Sequence, residues 1–264
     1  MNTITAKDGT KIAFDKVGSG PAVIVVDGAL TTRSSGSKPQ LVGLLSHHLS
    51  VYTYDRRGRG DSGDTVPYAI DREIEDIEAL IEESGGNAFL YGHSSGAALA
   101  FEAASKLGGK VKALAMYEAP YNDDPEAQKA WREYRGQLSE LLDAGRYGDA
   151  VALFMKLVGV PAEQISGMRG APVWPSFEAL GSSLAHDHLG VMGETAAVPL
   201  TRVSQLAIPV PVMSGGASYP FMSTTALALS KAFPNGKLRT LHEETHDVSP
   251  ETLAPVLTSF FGEY

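Results

Sequence analysis

Short runs of apolar residues alternate along the chain with longer segments in which apolar residues recur every three or four positions. The run over residues 22–26 is rich in β-branched residues and predicts a buried strand, and further strands are predicted over residues 51–54, 88–91, 111–117, 210–213 and 237–241. An opening hairpin is predicted from residues 4–7 and 11–17, because Asp8-Gly9 between them favours a tight turn. The pattern therefore predicts eight strands.

The periodic segments predict helices between these strands. The clearest covers residues 70–81, where isoleucines and leucines form one stripe that Gly85-Gly86 ends. Further helices are predicted over 97–107 and 221–233, and a last one follows Ser249-Pro250, with the Ser249 hydroxyl as its N-terminal cap. Strands separated by helices imply an α/β fold with a mostly parallel sheet covered on both faces.

Between residues 120 and 208 the alternation stops and the pattern predicts helices only, with a loop over 167–175. We interpret this stretch, called the cap segment below, as an insertion after the strand that ends near Tyr117. It would lie over the carboxyl edge of the sheet, where open α/β sheets bind their ligands. The predicted division is a core of residues 1–119 and 209–264 and a cap of residues 120–208.

Composition narrows the functional classes. The formal net charge of −9 disfavours binding to nucleic acid or to anionic membranes, and no apolar run is long enough to span a bilayer. The absence of cysteine excludes disulfides, thiolate nucleophiles and Cys-ligated metals. With no signal peptide at the N-terminus, we expect a cytoplasmic protein that acts on a small molecule, either as a monomer or as a homodimer.

The sharpest local motif is Gly92-His93-Ser94-Ser95-Gly96, a G-x-S-x-G between a predicted strand and an alanine-rich helix. A serine at such a strained turn has its hydroxyl pushed out of the chain, and the flanking glycines allow the turn. Ser94 is therefore the predicted nucleophile, whereas Ser95 lacks the symmetric glycines. The alternative is a helix start that needs small residues only to pack closely on a strand.

At this point the chain resembles the α/β-hydrolase superfamily over essentially its whole length. The resemblance rests on the serine turn, on the loop of residues 55–62 after the fourth strand, on the helical insertion after the sixth strand, and on a histidine just ahead of the last helix. It implies an eight-stranded, mostly parallel sheet with a helical cap. It does not fix the substrate, because this fold carries many reactions.

A serine hydroxyl needs a base near neutral pH, and the resemblance implies His246 for that role. His242 is interpreted as a packing or hydrogen-bonding residue, and His93 as either structural or substrate-binding. His47 and His48 are placed on the solvated face of the first helix. His186 and His188 stand two positions apart, which disfavours a shared metal ion if they lie on one helix.

The third member of a triad departs from the usual family pattern. The family most often carries an aspartate shortly after the seventh strand, where this chain has Ser218. Some branches, including a group of haloalkane dehalogenases and the zearalenone-type lactonases, instead use the end of the sixth strand, and Glu118 stands there. We therefore predict Glu118 as the acid. The alternatives are Asp247 as the acid, or Glu118 in a salt bridge to an arginine of the 56–59 loop.

Acyl transfer also requires two donors for the tetrahedral oxyanion. The serine turn supplies the amide of Ser95, and the resemblance implies Ala29 as the second donor, with Gly28 permitting the turn. Most relatives have His-Gly before this position, whereas this chain has Asp27-Gly28, as in the lactonases just mentioned. Asp27 is expected to anchor the loop, the alternative being contact with substrate. In the cap, Trp174 is the predicted wall of an apolar substrate site.

These residues predict a serine hydrolase without metal or other cofactor, acting on a neutral, fairly apolar ester or lactone through an acyl-enzyme on Ser94. Two alternatives stay open at this stage. One is another serine-dependent reaction, such as C–C hydrolysis, perhydrolysis or cyclisation. The other is a non-hydrolytic ligand-binding protein, which Ser218 favours and Glu118 opposes.

Overall fold

The computed structural model describes residues 1–35 and 39–264. Eight strands form one sheet in the order β1-β2-β4-β3-β5-β6-β7-β8. They are β1 (Asn2–Thr5), β2 (Lys11–Val17), β3 (Ala22–Val26), β4 (Ser50–Tyr54), β5 (Ala88–His93), β6 (Val111–Tyr117), β7 (Val210–Gly215) and β8 (Gly236–Leu241). The β1–β2 and β2–β4 pairs are antiparallel and all others are parallel. The mostly parallel eight-stranded fold class is confirmed.

The described residues also form ten α-helices. They are α1 (Pro39–Leu45), α2 (Ile70–Glu83), α3 (Ser95–Leu107), α4 (Pro125–Asp143), α5 (Tyr147–Leu157), α6 (Ala162–Arg169), α7 (Trp174–Ala179), α8 (Leu200–Val203), α9 (Pro220–Ala232) and α10 (Pro250–Phe261). Short 3₁₀ turns occupy Gly108–Lys110 and Gly181–Ser183, and Ala185–Val191 is a π-helix. No helix of the described residues is long and apolar enough to cross a membrane.

The central strands bury side chains on both faces of the sheet, which explains their largely apolar sequences. In β3, Ile24 and Val26 point to the side covered by α2, α3 and α9, whereas Val23 and Val25 point to the side covered by α1 and α10. The same alternation continues along the neighbouring β5 and β6. Both faces of the central strands are therefore apolar, and reactive side chains are confined to the strand ends.

The chain between β6 and β7 is helical, with its own apolar cluster built around Tyr134, Leu138, Val151 and Leu184. Leu30, from the loop that follows β3, belongs to the same cluster. The cap segment therefore packs against the carboxyl end of β3, in agreement with the expected position. The boundaries predicted at residues 120 and 208 stay a proposal.

Trp174 corrects one expectation within this segment. We expected it on a loop, but it is the first residue of α7 and is buried in the cap cluster; its role as a wall of the substrate site stays a prediction. Its indole lies under the guanidinium of Arg169, and its Nε1 faces Gly148 of α5. The proline that follows suggested a loop, yet proline is favoured in the first turn of a helix.

Three further local predictions were wrong. The opening turn spans Ala6 to Thr10, closed by the amide of Ala6 on the Thr10 carbonyl, so β1 ends at Thr5. The Ser249 hydroxyl does not cap α10, because it bonds to Glu244 instead. His47 and His48 lie beyond the end of α1, although both are exposed as expected.

Candidate active site

Ser94 stands on a strained turn between β5 and α3. Its backbone has φ 58° and ψ −132°, a combination that a non-glycine residue rarely adopts. A side chain on Gly92 would meet the Ala97 Cα at 2.5 Å, and one on Gly96 would meet the Val26 carbonyl oxygen at 2.1 Å. Both glycines of the motif are therefore required by close backbone approach, which holds the serine at the carboxyl edge of the sheet.

The loop after β3 passes directly beside this serine. A Cβ built on Gly28 would lie 2.8 Å from the Ser94 Cβ and 3.3 Å from its Oγ, so only glycine leaves the hydroxyl room. Ala29 follows in the turn, and the next residue, Leu30, has φ 55°. On the other side, Ser95 begins α3, where the first amides of a helix have no partner within the helix. The structure thus brings Gly28, Ala29, Ser94 and Ser95 together.

Glu118 and His246 meet across the carboxyl ends of the neighbouring strands. The Nδ1 of His246 is 2.7 Å from Oε2 of Glu118, whose side chain is fully buried. Glu118 follows β6 with φ 48°, and its amide donates to the Met213 carbonyl oxygen at 3.0 Å. No ion pair joins Glu118 to the arginines of the 56–59 loop among the described residues, because those arginines bind other carboxylates. With Nδ1 occupied, Nε2 is the ring nitrogen left to exchange a proton.

Ser218 stands at the usual position of the aspartate, and its hydroxyl donates a hydrogen bond to Glu118, the acid predicted to act in place of that aspartate. Its hydroxyl is 2.8 Å from Oε2 of Glu118, and the amide of Gly215 donates to Oε1 at 2.8 Å. Burial acts to raise the pKa of Glu118, but the hydrogen bonds from His246, Gly215 and Ser218 outweigh it and hold that pKa below its ordinary value. Glu118 is therefore a carboxylate at neutral pH.

His93 contacts the base rather than standing apart from it. Its Nε2 is 2.9 Å from the carbonyl oxygen of His246, and the two rings lie 4.8 Å apart. Tyr117 supports the same loop, since its hydroxyl donates to the carbonyl oxygen of Thr245 at 2.5 Å. The sequence reasoning missed Tyr117, although its place next to Glu118 at a strand end is a usable signal. Both contacts fix the backbone that carries His246.

Ser94 and His246 are not hydrogen-bonded to each other within the described part of the chain. The bond between a nucleophile and its base is commonly long in free enzymes and shortens when substrate binds. Asp247, the rival acid, is exposed next to His246. Of the two candidate acids, Glu118 is the one that the structure bonds to the imidazole.

The loop of residues 55–62 forms a buried ionic network below these residues. Arg57 points away from the site and binds Asp76 at 2.7 and 2.8 Å, whereas Arg56 and Arg59 point towards it. The two guanidiniums reach the carbonyl oxygens of Asp27 and Gly28 at 3.2 and 2.5 Å. The loop therefore supports the backbone of the turn that follows β3.

No group of three or more histidine, cysteine or acidic side chains among residues 1–35 and 39–264 could hold a metal ion. His186 stacks on Tyr68 with ring centres 4.2 Å apart, whereas His188 bonds through Nδ1 to the Tyr134 hydroxyl at 2.7 Å. The two histidines therefore have separate surroundings.

Comparison with known proteins agrees with this fold. The model of the Alpha/beta hydrolase family matches residues 30–252, well over half of the chain. A crystal structure of an alpha/beta hydrolase from Sphaerobacter thermophilus is 45% identical, covers 98% of this chain and 100% of its own, and superposes with a TM-score of 0.86. A thermophilic esterase from Thermogutta terrifontis is 20% identical, with coverages of 99% and 98% and a TM-score of 0.74. A meta-cleavage product hydrolase, CumD, is 19% identical, with coverages of 100% and 98% and a TM-score of 0.73. The last two similarities concern the fold alone.

Proposed function

The chain belongs to the alpha/beta hydrolase family, and from that premise we propose that it is a serine hydrolase of neutral, fairly apolar carboxylic esters or lactones. The observation that carries the proposal is the 2.7 Å contact between His246 Nδ1 and a buried carboxylate of Glu118. A histidine fixed in this way presents Nε2 as a general base, which is the arrangement that activates a serine hydroxyl.

In the proposed reaction, the Ser94 hydroxyl attacks the carbonyl carbon while its proton moves to Nε2 of His246. The C–O bond forms, the carbonyl oxygen becomes an oxyanion, and the amides of Ala29 and Ser95 stabilise it. The tetrahedral intermediate then expels the alkoxide, which takes the proton back from His246. Water, deprotonated by the same histidine, then adds to the acyl carbon. The bond to the Ser94 oxygen breaks, this oxygen takes the proton from His246, and the acid is released.

Glu118 stabilises the imidazolium that forms in both steps and keeps the proton of the neutral ring on Nδ1. Its lowered pKa supports this role, because the group stays charged throughout the neutral range. Gly28, Ala29 and Leu30 follow one another in the loop beside Ser94 and carry no charge, which supports a neutral, fairly apolar substrate. We assign Gly28 and His93 to the walls of the site, Gly28 beside the hydroxyl and His93 behind the base.

Two measurements test this function. The protein is exposed to a fluorophosphonate probe, and hydrolysis of a panel of acyl esters of graded length and of lactones of graded ring size is followed in parallel. We expect rapid labelling and turnover by the wild type and neither by Ser94→Ala, with Ser95→Ala still labelled. Labelling without cleavage of any ester or lactone would favour a different serine-dependent reaction, such as C–C hydrolysis. Absence of both would favour a ligand-binding protein.

A further inference from the structure

Asp187 of the cap segment is buried at a point where the cap meets the core. It lies in the π-helix Ala185–Val191, and its carboxylate has no exposed surface. Oδ1 accepts hydrogen bonds from Arg56 Nη1 at 2.6 Å and from the Ser95 hydroxyl at 2.7 Å, and Oδ2 accepts one from Arg59 Nη2. One cap side chain therefore contacts the serine turn and two arginines of the core.

The same two arginines hold the loop that follows β3. Arg59 Nη1 donates to the Gly28 carbonyl oxygen at 2.5 Å, and Arg56 Nη1 donates to the Asp27 carbonyl oxygen at 3.2 Å. The Thr31 hydroxyl adds a second donor to the Gly28 oxygen at 2.7 Å. The carbonyl oxygens of Asp27 and Gly28, which belong to two consecutive peptide groups of this turn, are therefore both held by arginine side chains.

These contacts also set the direction of the Ala29 N–H, one of the two proposed oxyanion donors. The carbonyl of Gly28 and the N–H of Ala29 belong to one peptide group, and this group is trans, since the described chain has its cis bond at Val66-Pro67. In a trans peptide the C=O and N–H bonds point in opposite directions. Because Arg59 holds the Gly28 oxygen, the Ala29 N–H points away from Arg59, and the loop that carries this N–H packs on Ser94 at Gly28.

The electrostatics explain why this network requires a carboxylate. Arg56 also binds Glu73 at 2.7 and 2.8 Å, whereas Asp187 is the carboxylate that Arg59 binds within the described chain. Burial lowers the pKa of Arg59, the neighbouring Arg56 lowers it further, and Asp187 opposes both effects. Burial alone would raise the pKa of Asp187, but the two arginines hold it well below its ordinary value. Asp187 therefore compensates the buried charge of Arg59, with which Glu73 forms no ion pair in the described part of the chain.

We propose that Asp187 is a positioning residue for the oxyanion hole: through Arg59 it orients the Ala29 amide, and through the Ser95 hydroxyl it fixes the residue that supplies the second amide. The cap and the hole would then form as one unit, so that the hole is fully ordered only with the cap in place. This inference rests on the proposed function, because it presumes attack by Ser94.

The test compares Asp187→Asn and Ser95→Ala with a matched control, Asp76→Asn. Asp76 forms the same kind of buried ion pair with Arg57 in the same loop, but that pair has no contact with Gly28 or Ser95. We expect kcat for a short ester to fall about 10- to 100-fold in Asp187→Asn, since a donor misplaced by about 1 Å can cost that much. Ser95→Ala, which keeps both ion pairs, should lose less, about 3- to 10-fold. KM should change less than about threefold in both, because the donors act mainly in the transition state.

The affinity of a trifluoromethyl ketone, whose hemiketal oxyanion occupies the same hole, gives a second readout. Its inhibition constant should rise by the factor by which kcat/KM falls in both variants. Asp76→Asn should lower the unfolding temperature and leave kcat and this constant unchanged. If Asp187→Asn does not fold, Ser95→Ala alone tests the inference, through its kcat and its inhibition constant.

Two outcomes would overturn the inference alone. Folded variants with wild-type kcat and inhibitor affinity would show that the contact is only structural, and an equal loss of kcat in Asp76→Asn would show that any broken buried ion pair suffices. A wild-type protein that neither hydrolyses any ester or lactone nor reacts with fluorophosphonate would overturn the proposed function, and this inference with it.

Discussion

Replacing Glu118 by glutamine tests the most unusual element of the site. The amide occupies the same volume and can still accept the Gly215 hydrogen bond, so the variant should fold. What it lacks is the negative charge 2.7 Å from His246 Nδ1, which stabilises the imidazolium in each proton transfer. The effect should therefore fall on kcat and leave substrate binding nearly unchanged.

The size of the loss follows from the geometry. With an effective dielectric constant of about 20, unit charges about 4 Å apart attract by about 4 kcal/mol. Because 36% of the His246 side chain is exposed, water screens part of this energy, and we take about 3–4 kcal/mol. Each 1.36 kcal/mol is about tenfold in rate, so kcat should fall about 10²- to 10³-fold.

The assay is steady-state hydrolysis of a short p-nitrophenyl ester, with the unfolding temperature as the control for folding. Asp247→Asn is the matched variant, because it neutralises the exposed acid next to the base, and we expect its kcat within about threefold of the wild type. A folded Glu118→Gln enzyme that keeps a third or more of its kcat would refute the assignment of the acid. So would a larger loss in Asp247→Asn.

Three further predictions follow from named contacts. The double variant Glu118→Gln/Ser218→Asp should have a kcat at least tenfold above that of Glu118→Gln, because the Ser218 hydroxyl lies 2.8 Å from the Glu118 oxygen that His246 binds. A folded double variant with no gain in kcat would contradict this prediction. Gly28→Ala should lower both kcat, at least tenfold, and the unfolding temperature, because the new methyl would stand 2.8 Å from the Ser94 Cβ and 3.2 Å from the His93 carbonyl oxygen. Unchanged kinetics would contradict this. Burial lowers the pKa of His188 to about 4, so the unfolded chain binds a proton first as the pH falls. Between pH 7 and pH 5 this histidine should therefore lower the free energy of unfolding by about 2 kcal/mol, a loss that His188→Gln should not show. Urea unfolding at both pH values measures it, and equal pH slopes for the two proteins would contradict it.

Much of the fold could be predicted from the sequence because the central strands are buried on both faces and are largely apolar. β3 and β6 have the predicted limits, and α2 begins at the predicted residue. The errors lie where a local signal competes with a tertiary contact. Ser249 has the chemistry of a cap, but Glu244 takes its hydroxyl, and Trp174 precedes a proline yet starts a helix.

The residues of the site also differ in how well the sequence predicts them. Ser94 could be predicted because its turn demands glycines at fixed spacing, and Glu118 because the usual acid position holds a serine. Asp187 has no comparable signal, since it stands 131 positions from Arg56 in a segment without motifs and meets the core only after folding. Contacts of this kind depend on how the cap packs, which the apolar pattern does not specify.

The most direct measurement of the proposed chemistry is a rapid-quench experiment with p-nitrophenyl acetate. We expect a burst of p-nitrophenol close to one equivalent of enzyme, if deacylation is the slower step, and an acetyl group on the peptide that contains Ser94 by mass spectrometry. The acetyl group should be absent in Ser94→Ala. Steady hydrolysis by the wild type with neither a burst nor an acetylated Ser94 peptide, even at the shortest quench times and at acid pH, would contradict nucleophilic attack by this serine.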